Sequence, residues 1–140
     1  MSKYLSMVSP DDVETQVLDW GSFQWLNEPR VTGADKMIVG IGRIKPGKGH
    51  ARHNHPDSEE FIYFMEGKAR QMIERPDGTQ ERDMGPGELI SIPQGAFHST
   101  FNVGDSDLVF MCCYLNAGSE LAIRKDAIEV LPPKNNWAEE

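Results

Sequence analysis

The chain has 140 residues and a formal net charge of −8, from 14 lysines and arginines against 22 aspartates and glutamates. This length predicts one domain whose core needs no disulfides, and the acidic balance argues against nucleic acid or an anionic membrane surface as a partner. We recognise no signal peptide near Met1 and no apolar run of membrane-spanning length, and the adjacent Cys112 and Cys113 are expected to be reduced and buried, as in a cytoplasmic protein.

Residues 1–36 are expected to form an N-terminal extension that packs on the rest of the domain or on a second subunit. The stretch 11–17 is compatible with a helical turn. Two short edge strands are predicted at 17–20 and 23–26, with Gly21 and Ser22 between them. Trp20 and Trp25 lie in these strands, and we expect their rings to make packing contacts rather than to take part in chemistry.

Residues 37–118 contain a succession of short strands, which we take as the central domain. Glycine- and proline-containing turns separate these strands, and the segment 75–79 is a predicted hairpin turn. Many short strands joined in this way indicate a sandwich or a barrel. Gly40 and Gly42 in the first of these strands are expected to leave space inside the sandwich or barrel, where larger side chains would otherwise fill it. The predicted strands are 37–44, 61–65, 69–73, 89–92, 99–103 and 108–115.

Residues 119–140 are expected to form a C-terminal extension. The stretch 122–131 is compatible with a strand or with a short helix. Pro132 and Pro133 then begin an irregular tail. Trp137 lies in this tail, and we expect it to pack against the domain or a second subunit.

Four residues of metal-ligand type are candidates for one metal site: His53, His55, Glu60 and His98. Side chains at positions i and i+2 of a strand project from one face about 6.5–7 Å apart, so His53 and His55 can reach the same ion. The long gap before His98 means that the fold must close the site. Three imidazole nitrogens and one carboxylate oxygen suit Fe, Mn, Zn, Ni or Co, and affinity alone does not choose among these metals.

The glycine, proline and asparagine residues around these ligands, together with the ligands themselves, resemble both halves of the sequence signature of the cupin superfamily, in its small single-domain form. The resemblance covers about residues 37–115 and implies a double-stranded β-helix, or jelly-roll barrel, with short terminal extensions. It also implies one divalent transition metal per chain, held by His53, His55, Glu60 and His98 with open coordination positions, which are typical of a catalytic site. The residues that match the signature besides the ligands are Gly47, Gly67, Gly87, Pro93, Gly95 and Asn102.

Glu59 competes with Glu60 for the role of carboxylate ligand, because the family pattern tolerates three or four residues after the second histidine. The distance to Gly67 favours Glu60. Strand alternation also favours Glu60, since it groups this residue with Ile62 and Phe64 and points Glu59 the other way.

Alternation also predicts which side chains line the pocket. In the strand after Gly67, either Gln71 or Arg70 faces inward, and we choose Gln71 because a buried arginine without a partner would cost several kcal/mol. His50 and Arg52 are expected at the pocket mouth. The candidate substrate contacts are Gln71, Thr100, Asn102, Ile62 and Phe64.

The sequence does not select one reaction. A divalent ion with three neutral imidazoles and one carboxylate has a net charge of +1, which favours a small oxygen-rich anion such as a sugar acid, a hydroxy acid or a keto acid. The resemblance implies Lewis-acid isomerase, lyase or decarboxylase chemistry, or iron-dependent dioxygenation. The alternative is a non-catalytic, metal-dependent protein that binds a sugar or an acid.

A homodimer is expected from strands that are apolar on both faces. Residues 108–115 form one such strand, and both of its faces are predicted to be buried. In the strand 61–65, the side chains of Phe61, Tyr63 and Met65 lie opposite to the pocket face. Either a second subunit or the N-terminal extension of the same chain could cover them, and we favour the second subunit.

Overall fold

The computed structural model describes residues 3–137. A single 3-10 turn at Pro10–Asp12 precedes the first strand. The elements that follow, in chain order, are β1 (Thr15–Val17), β2 (Gly21–Asn27), β3 (Met37–Ile44), β4 (Gly49–His53), β5 (Glu60–Glu66), β6 (Ala69–Arg75), β7 (Gly78–Met84), β8 (Leu89–Ile92), β9 (His98–Asn102), β10 (Leu108–Leu115), α1 (Ser119–Asp126) and β11 (Glu129–Leu131).

Two antiparallel sheets form the domain. The large sheet has the strand order β11-β1-β2-β3-β10-β5-β8, and the small sheet has the order β4-β9-β6-β7. Their inner faces meet in one hydrophobic core that contains Phe64, Phe110 and Tyr114 from the large sheet and Ala69 and Ile73 from the small one. The all-β, double-stranded β-helix fold that the sequence predicts is confirmed.

Buried and exposed side chains alternate along β5 and β6, and the side chains that face inward are the expected ones. Glu60, Ile62 and Phe64 of β5 are buried, whereas Tyr63 and Met65 between and beyond them are exposed. In β6, the buried positions include Gln71, while Arg70 is exposed and pairs with acidic residues of β7. The parity inferred from the sequence therefore holds through both strands.

Strand β7 is not among the predicted strands, because it has no apolar face that would indicate it. Its residues are exposed except for Met84. It lies at the edge of the small sheet and pairs only with β6. The predicted hairpin turn at 75–79 is tighter than expected, since β6 ends at Arg75 and β7 begins at Gly78. Charged side chains suit an exposed edge strand because they discourage pairing with other chains.

The terminal segments differ in detail from the predictions. The predicted strand at 17–20 is wrong, because β1 ends at Val17 and the chain turns through residues 18–20 before β2. The helical turn predicted at 11–17 is shorter and earlier, at Pro10–Asp12. The segment 122–131, for which the sequence predicts a strand or a short helix, contains the end of α1 and all of β11, which pairs with β1.

Gly40 and Gly42 do not leave open space inside the barrel. A Cβ atom at Gly40 would lie 2.5 Å from the Trp25 ring, and one at Gly42 would lie 2.3 Å from the Phe110 ring. Both aromatic rings are buried in the core. These glycines therefore make room for aromatic packing rather than for a ligand.

The two cysteines differ in environment. Cys112 is fully buried, whereas Cys113 is only half-buried, which corrects the expectation that both are buried. Both are free thiols. Within residues 3–137, no helix has the length and apolar character needed to cross a membrane. The proposed boundaries at 36/37 and 118/119 stay a prediction, and β1, β2 and β11 from the terminal extensions join the large sheet.

Candidate metal centre

The prediction that His53 and His55 lie on one strand is wrong. Strand β4 ends at His53, and His55 lies in the loop that follows. The carbonyl oxygen of His55 accepts hydrogen bonds from the backbone N–H groups of Gly95 and Ser58, at 3.0 and 3.3 Å. The loop is thus tied to the turn that precedes β9, so that His55 is held near His98 by backbone contacts.

A β-bulge in β4 brings a further histidine onto the inner face. His50 pairs with Thr100, and His53 pairs with His98, with a register shift between the two pairs. In a regular strand, side chains three residues apart, such as those of His50 and His53, point to opposite faces. The extra residue of the bulge between them puts both side chains on the same face. Arg52 instead lies on the outside, where it pairs with Glu74. Of the two residues expected at the pocket mouth, only His50 shares the inner face.

Backbone carbonyls set the tautomers of two candidate ligands. The Nδ1 atom of His53 lies 2.7 Å from the Ala51 oxygen, and that of His98 lies 2.9 Å from the Ala96 oxygen. A carbonyl oxygen only accepts hydrogen bonds, so Nδ1 carries the proton in each ring and Nε2 keeps a free lone pair. This orientation of imidazoles by an outer hydrogen bond is typical of metal ligands.

Glu60 completes the cluster. Its side chain is buried, and Oε1 lies 3.4 Å from His55 Nε2 and 3.2 Å from His98 Nε2. Among the buried side-chain atoms of residues 3–137, these three have no hydrogen-bond partner of acceptable geometry. The donor atoms of His53, His55 and His98 lie within 4.8 Å of one another. These nitrogen and oxygen atoms point towards one place and lack hydrogen-bond partners, so as metal ligands they fit a divalent transition metal.

The electrostatics of the cluster suit a cation. Burial lowers the pKa of His53 to about 4, helped by the neighbouring His98, so the ring is neutral at pH 7. Burial alone would raise the pKa of the Glu60 carboxyl, but the imidazoles of His55 and His98 outweigh it and lower that pKa to about 2. The carboxylate is therefore charged. Glu59, the competing candidate, is exposed.

Two of the five candidate substrate contacts form a hydrogen-bonded pair on the inner face. Thr100 donates a hydrogen bond of 2.6 Å to Oε1 of Gln71, and both residues are almost fully buried. Asn102 is also buried, but its amide is used by the backbone, donating to Ile44 and Ser106 and accepting from Gly104. Ile62 and Phe64 belong to the hydrophobic core.

From the sequence, Tyr114 is only a conceivable general base, and the structure places its side chain beside the cluster. This tyrosine is buried in β10, and its ring lies 4.8 Å from that of His55. Desolvation, together with the charge of Glu60, raises the pKa of its hydroxyl well above the ordinary value. The residue therefore stays protonated and forms part of the wall beside the cluster. Because its strand is apolar on both faces, the sequence alone does not show that Tyr114 lies beside the cluster.

Comparison with known proteins agrees with this architecture. The model of the cupin domain family matches residues 40–114, which is more than half of the chain and contains all four candidate ligands. This chain belongs to the cupin domain family.

Individual cupin relatives are distant. The chain is 29% identical over 101 residues to polyketide synthase CurC of Streptomyces cyaneus, covering 72% of this chain and 63% of CurC. It is 35% identical over 68 residues to glucose-6-phosphate isomerase of Thermococcus kodakarensis, covering 48% of this chain and 35% of that protein.

A solved structure of Bacillus subtilis oxalate decarboxylase, described for its Mn(II) centres, superposes with a TM-score of 0.72. It shares 20% sequence identity and covers 94% of this chain, which in turn covers 34% of the decarboxylase. At this identity the likeness shows the fold alone. The chain therefore spans less than two thirds of each of these three relatives.

Proposed function

We propose that this protein is a metal-dependent cupin enzyme that acts on a small, oxygen-rich and anionic metabolite, such as a sugar acid, a hydroxy acid or a keto acid. The observation that carries the proposal is the convergence of His55 Nε2, Glu60 Oε1 and His98 Nε2, which are all buried and have no hydrogen-bond partner in the part of the chain that the structure describes. A buried polar atom left unpaired costs about 1–3 kcal/mol. A divalent ion held by His53, His55, Glu60 and His98 would remove that cost.

The charge of the site supports an anionic substrate. His53 is neutral and Glu60 is ionised at pH 7, so a divalent ion with three neutral imidazoles would leave the centre with one net positive charge. When bound, the metal would supply Lewis acidity for isomerase, lyase or decarboxylase chemistry, or, if it is iron, the capacity for dioxygenation. The Mn(II) centres named for the decarboxylase neighbour make manganese the first candidate among Fe, Mn, Zn, Ni and Co.

A cavity between the two sheets is the proposed substrate entrance. It opens between the edge strands β7 and β8, has a volume of about 260 Å³, and reaches Gln71 and Ile73. Ile73 pairs with the candidate ligand His98, and Gln71 pairs with Thr100. A molecule in this cavity would therefore lie one strand away from the cluster. An amide nitrogen carries two donor hydrogens, so Gln71 can serve a substrate oxygen while it also donates to the Met72 carbonyl.

Arg82 is the proposed partner for the far end of an anionic substrate. It lies on β7 opposite Gln71 and lines the same cavity. Its guanidinium forms an ion pair with Glu88, and both side chains are exposed. A substrate carboxylate would compete with Glu88 for this arginine. Arg82→Gln should therefore raise KM, whereas Arg70→Gln on the outer face of the same sheet should not.

The named activities of the relatives fit this class of substrate without selecting one reaction. Oxalate is a small dianion that consists almost entirely of oxygen donors, and glucose 6-phosphate is a polyhydroxylated anion. Polyketides contain 1,3-dicarbonyl units, whose enolates present two oxygens to one ion. All three are oxygen-rich compounds that can chelate a metal. A metal centre with open coordination positions would bind each of these compounds in the compound's ionised form.

A substrate panel tests the proposal. Protein loaded separately with Mn(II), Fe(II) and Zn(II) would be assayed with oxalate, glucose 6-phosphate, 2-keto acids and a soluble 1,3-diketone, with oxygen uptake recorded throughout. We expect turnover of at least one compound, and loss of that turnover in Glu60→Gln. Saturable, metal-dependent binding without turnover for every compound and metal would instead support the alternative, a non-catalytic binding protein for a sugar or an acid.

We also propose that two copies of the chain form a homodimer through the outer face of the large sheet. Tyr63 and Met65 are 38% and 44% exposed, so the N-terminal extension of the same chain does not cover them. Tyr63 pairs with Met111 on β10 and with the exposed Leu89 on β8. The apolar surface is thus continuous across neighbouring strands, and burial against a second copy would stabilise it.

A reducing compartment such as the cytoplasm is the proposed location. Both cysteines are free, and burial raises the pKa of the Cys112 thiol well above its ordinary value. The fold therefore includes no disulfide through its two cysteines and keeps one of the thiols unreactive.

A further inference from the structure

Three aromatic rings from two separate parts of the chain stack beside the candidate metal centre. The ring of His50 lies parallel to that of His53, with centroids 3.7 Å apart and planes inclined by 20°. Trp20 covers the other side of His50, with centroids 4.7 Å apart and planes inclined by 16°. The stack thus runs from the N-terminal segment, through β4, to a candidate ligand.

Two local features of the structure build this stack. The bulge between His50 and His53 puts both rings on the inner face. On the other side, Gly21, which follows Trp20 and begins β2, lies so close to β3 that a Cβ atom on it would be 1.8 Å from the Arg43 oxygen. The Lys45 N–H then donates to the Trp20 carbonyl at 3.1 Å. The position of Trp20 is therefore fixed by backbone contacts.

His50 is not placed as a fourth histidine ligand. Nearly parallel rings at stacking distance hold their nitrogens side by side, so His50 and His53 cannot both aim at one ion. The histidines whose donor atoms converge are His53, His55 and His98. All four histidines of the chain thus gather in one place, and one of them contacts the group only through its ring face.

His53 has more need of such support than the other two ligands. His55 and His98 are buried, whereas His53 is only half-buried at the end of its strand. The hydrogen bond to Ala51 fixes one edge of the ring, but it leaves the exposed face of the ring uncovered. His50 covers that face, and Trp20 shields His50 in turn.

We propose that Trp20 and His50 are positioning residues, which set the affinity of the centre for its metal by holding the His53 ring in its ligating orientation. This inference rests on the metal site proposed above and not on the reaction. Outer residues that orient a ligating histidine typically change metal affinity by about 10–100-fold when they are replaced. The flat face of the ring at position 50, rather than its nitrogens, supplies the support.

Calorimetric titration with Mn²⁺ of purified, metal-free protein tests the proposal. The variants are Trp20→Phe, Trp20→Leu, His50→Phe and His50→Leu. The phenylalanine variants keep a flat ring and should bind within about a factor of three of wild type. The leucine variants keep apolar bulk without a stacking face and should bind about tenfold more weakly or worse. The visible absorption of Co²⁺-loaded protein should change in the leucine variants only.

Val31→Ala serves as the control for general destabilisation, because Val31 is buried in the N-terminal segment and belongs to neither the stack nor the cluster. It should lower the melting temperature while leaving Mn²⁺ affinity unchanged. Equal affinities in wild type and the leucine variants would overturn the proposal, as would an equal loss in His50→Phe and His50→Leu or in Val31→Ala. Wild-type protein that takes up none of Mn²⁺, Fe²⁺, Co²⁺, Ni²⁺ and Zn²⁺ would overturn both the metal site and the stack.

Discussion

Thr100 on β9 donates a hydrogen bond of 2.6 Å from its hydroxyl to the side-chain oxygen of Gln71 on β6. The two residues are directly paired across the strands, and the same cross-strand row continues to His50 on one side and Arg82 on the other. The adjacent row contains His53, His98 and Ile73. A polar row therefore runs across the small sheet beside the row that holds two candidate ligands.

Replacing Gln71 tests whether this polar row contacts the substrate. Gln71→Leu removes the amide that would donate a hydrogen bond to the substrate, so kcat/KM should fall by the equivalent of about 1–3 kcal/mol. Thr100→Val should have a smaller effect, because it frees Gln71 without removing it. Metal content should be unchanged in both variants. Unaltered steady-state kinetics in Gln71→Leu would contradict the assignment.

The two neighbouring glutamates should differ sharply in their effect on the metal. Glu60 is buried against His55 and His98, whereas Glu59 is exposed. Glu60→Gln keeps the shape but removes the negative charge, so we expect Mn²⁺ affinity to fall by about 100-fold or more, beyond the range of outer residues. Glu59→Gln is the matched control and should bind like wild type. A larger loss in the Glu59 variant, measured by titration calorimetry, would reverse the assignment.

Much of the site follows from local pattern in the sequence. Alternation along β5 and β6 correctly separates Glu60 from Glu59 and Gln71 from Arg70, because both strands are regular and have one buried face. The ends of β3, β8 and β10 also match the predicted strands. In a regular strand, alternation alone therefore determines which side chains share a face.

The remaining features depend on contacts that local pattern does not encode. The bulge that turns His50 inward is a register shift against β9, and no residue type in β4 marks it. His55 is held by a backbone bond to Gly95, which is distant in sequence. Strand β7 carries no apolar alternation because it is an exposed edge. The Trp20 stack requires the close approach of Gly21 to β3, which only the folded chain shows.

The stability of the metal-free protein should depend on pH through His50 and His53. Burial is the main cause that lowers the pKa from 6.5 to about 3 for His50 and to about 4 for His53. Between pH 6.5 and 5, the unfolded chain takes up protons on these rings and the folded chain does not. The free energy of unfolding should therefore fall on acidification, by up to about 1.4 kcal/mol per pH unit for each histidine.

Urea unfolding in the presence of a chelator measures this slope. His50→Phe removes one of the two groups, so its slope between pH 5 and 6.5 should be shallower than that of wild type. The opposite shift at Glu60, whose pKa is lowered from 4.5 to about 2, acts only at lower pH and does not disturb this window. Identical slopes in the two proteins would show that His50 does not titrate as its burial implies.

A charge on the outer face of the large sheet should break the proposed dimer. Tyr63→Lys places an ammonium group in the continuous apolar surface, where its burial against a second copy would be unfavourable. Light scattering at micromolar concentration should give the mass of two chains for wild type and of one 15.7 kDa chain for the variant. Leu121→Lys is the control, since Leu121 is an exposed apolar residue on α1. Wild type that is already monomeric would refute the interface.

Metal content is the most direct test of the central claim, which is that His53, His55, Glu60 and His98 hold one divalent ion. Among residues 3–137, His55 Nε2 is one of three buried side-chain atoms without a hydrogen-bond partner, and its loss should open the cluster. Elemental analysis of purified wild type should find close to one transition metal ion per chain, and His55→Ala should retain only a small fraction of it. Equal metal content in the two proteins would contradict the account.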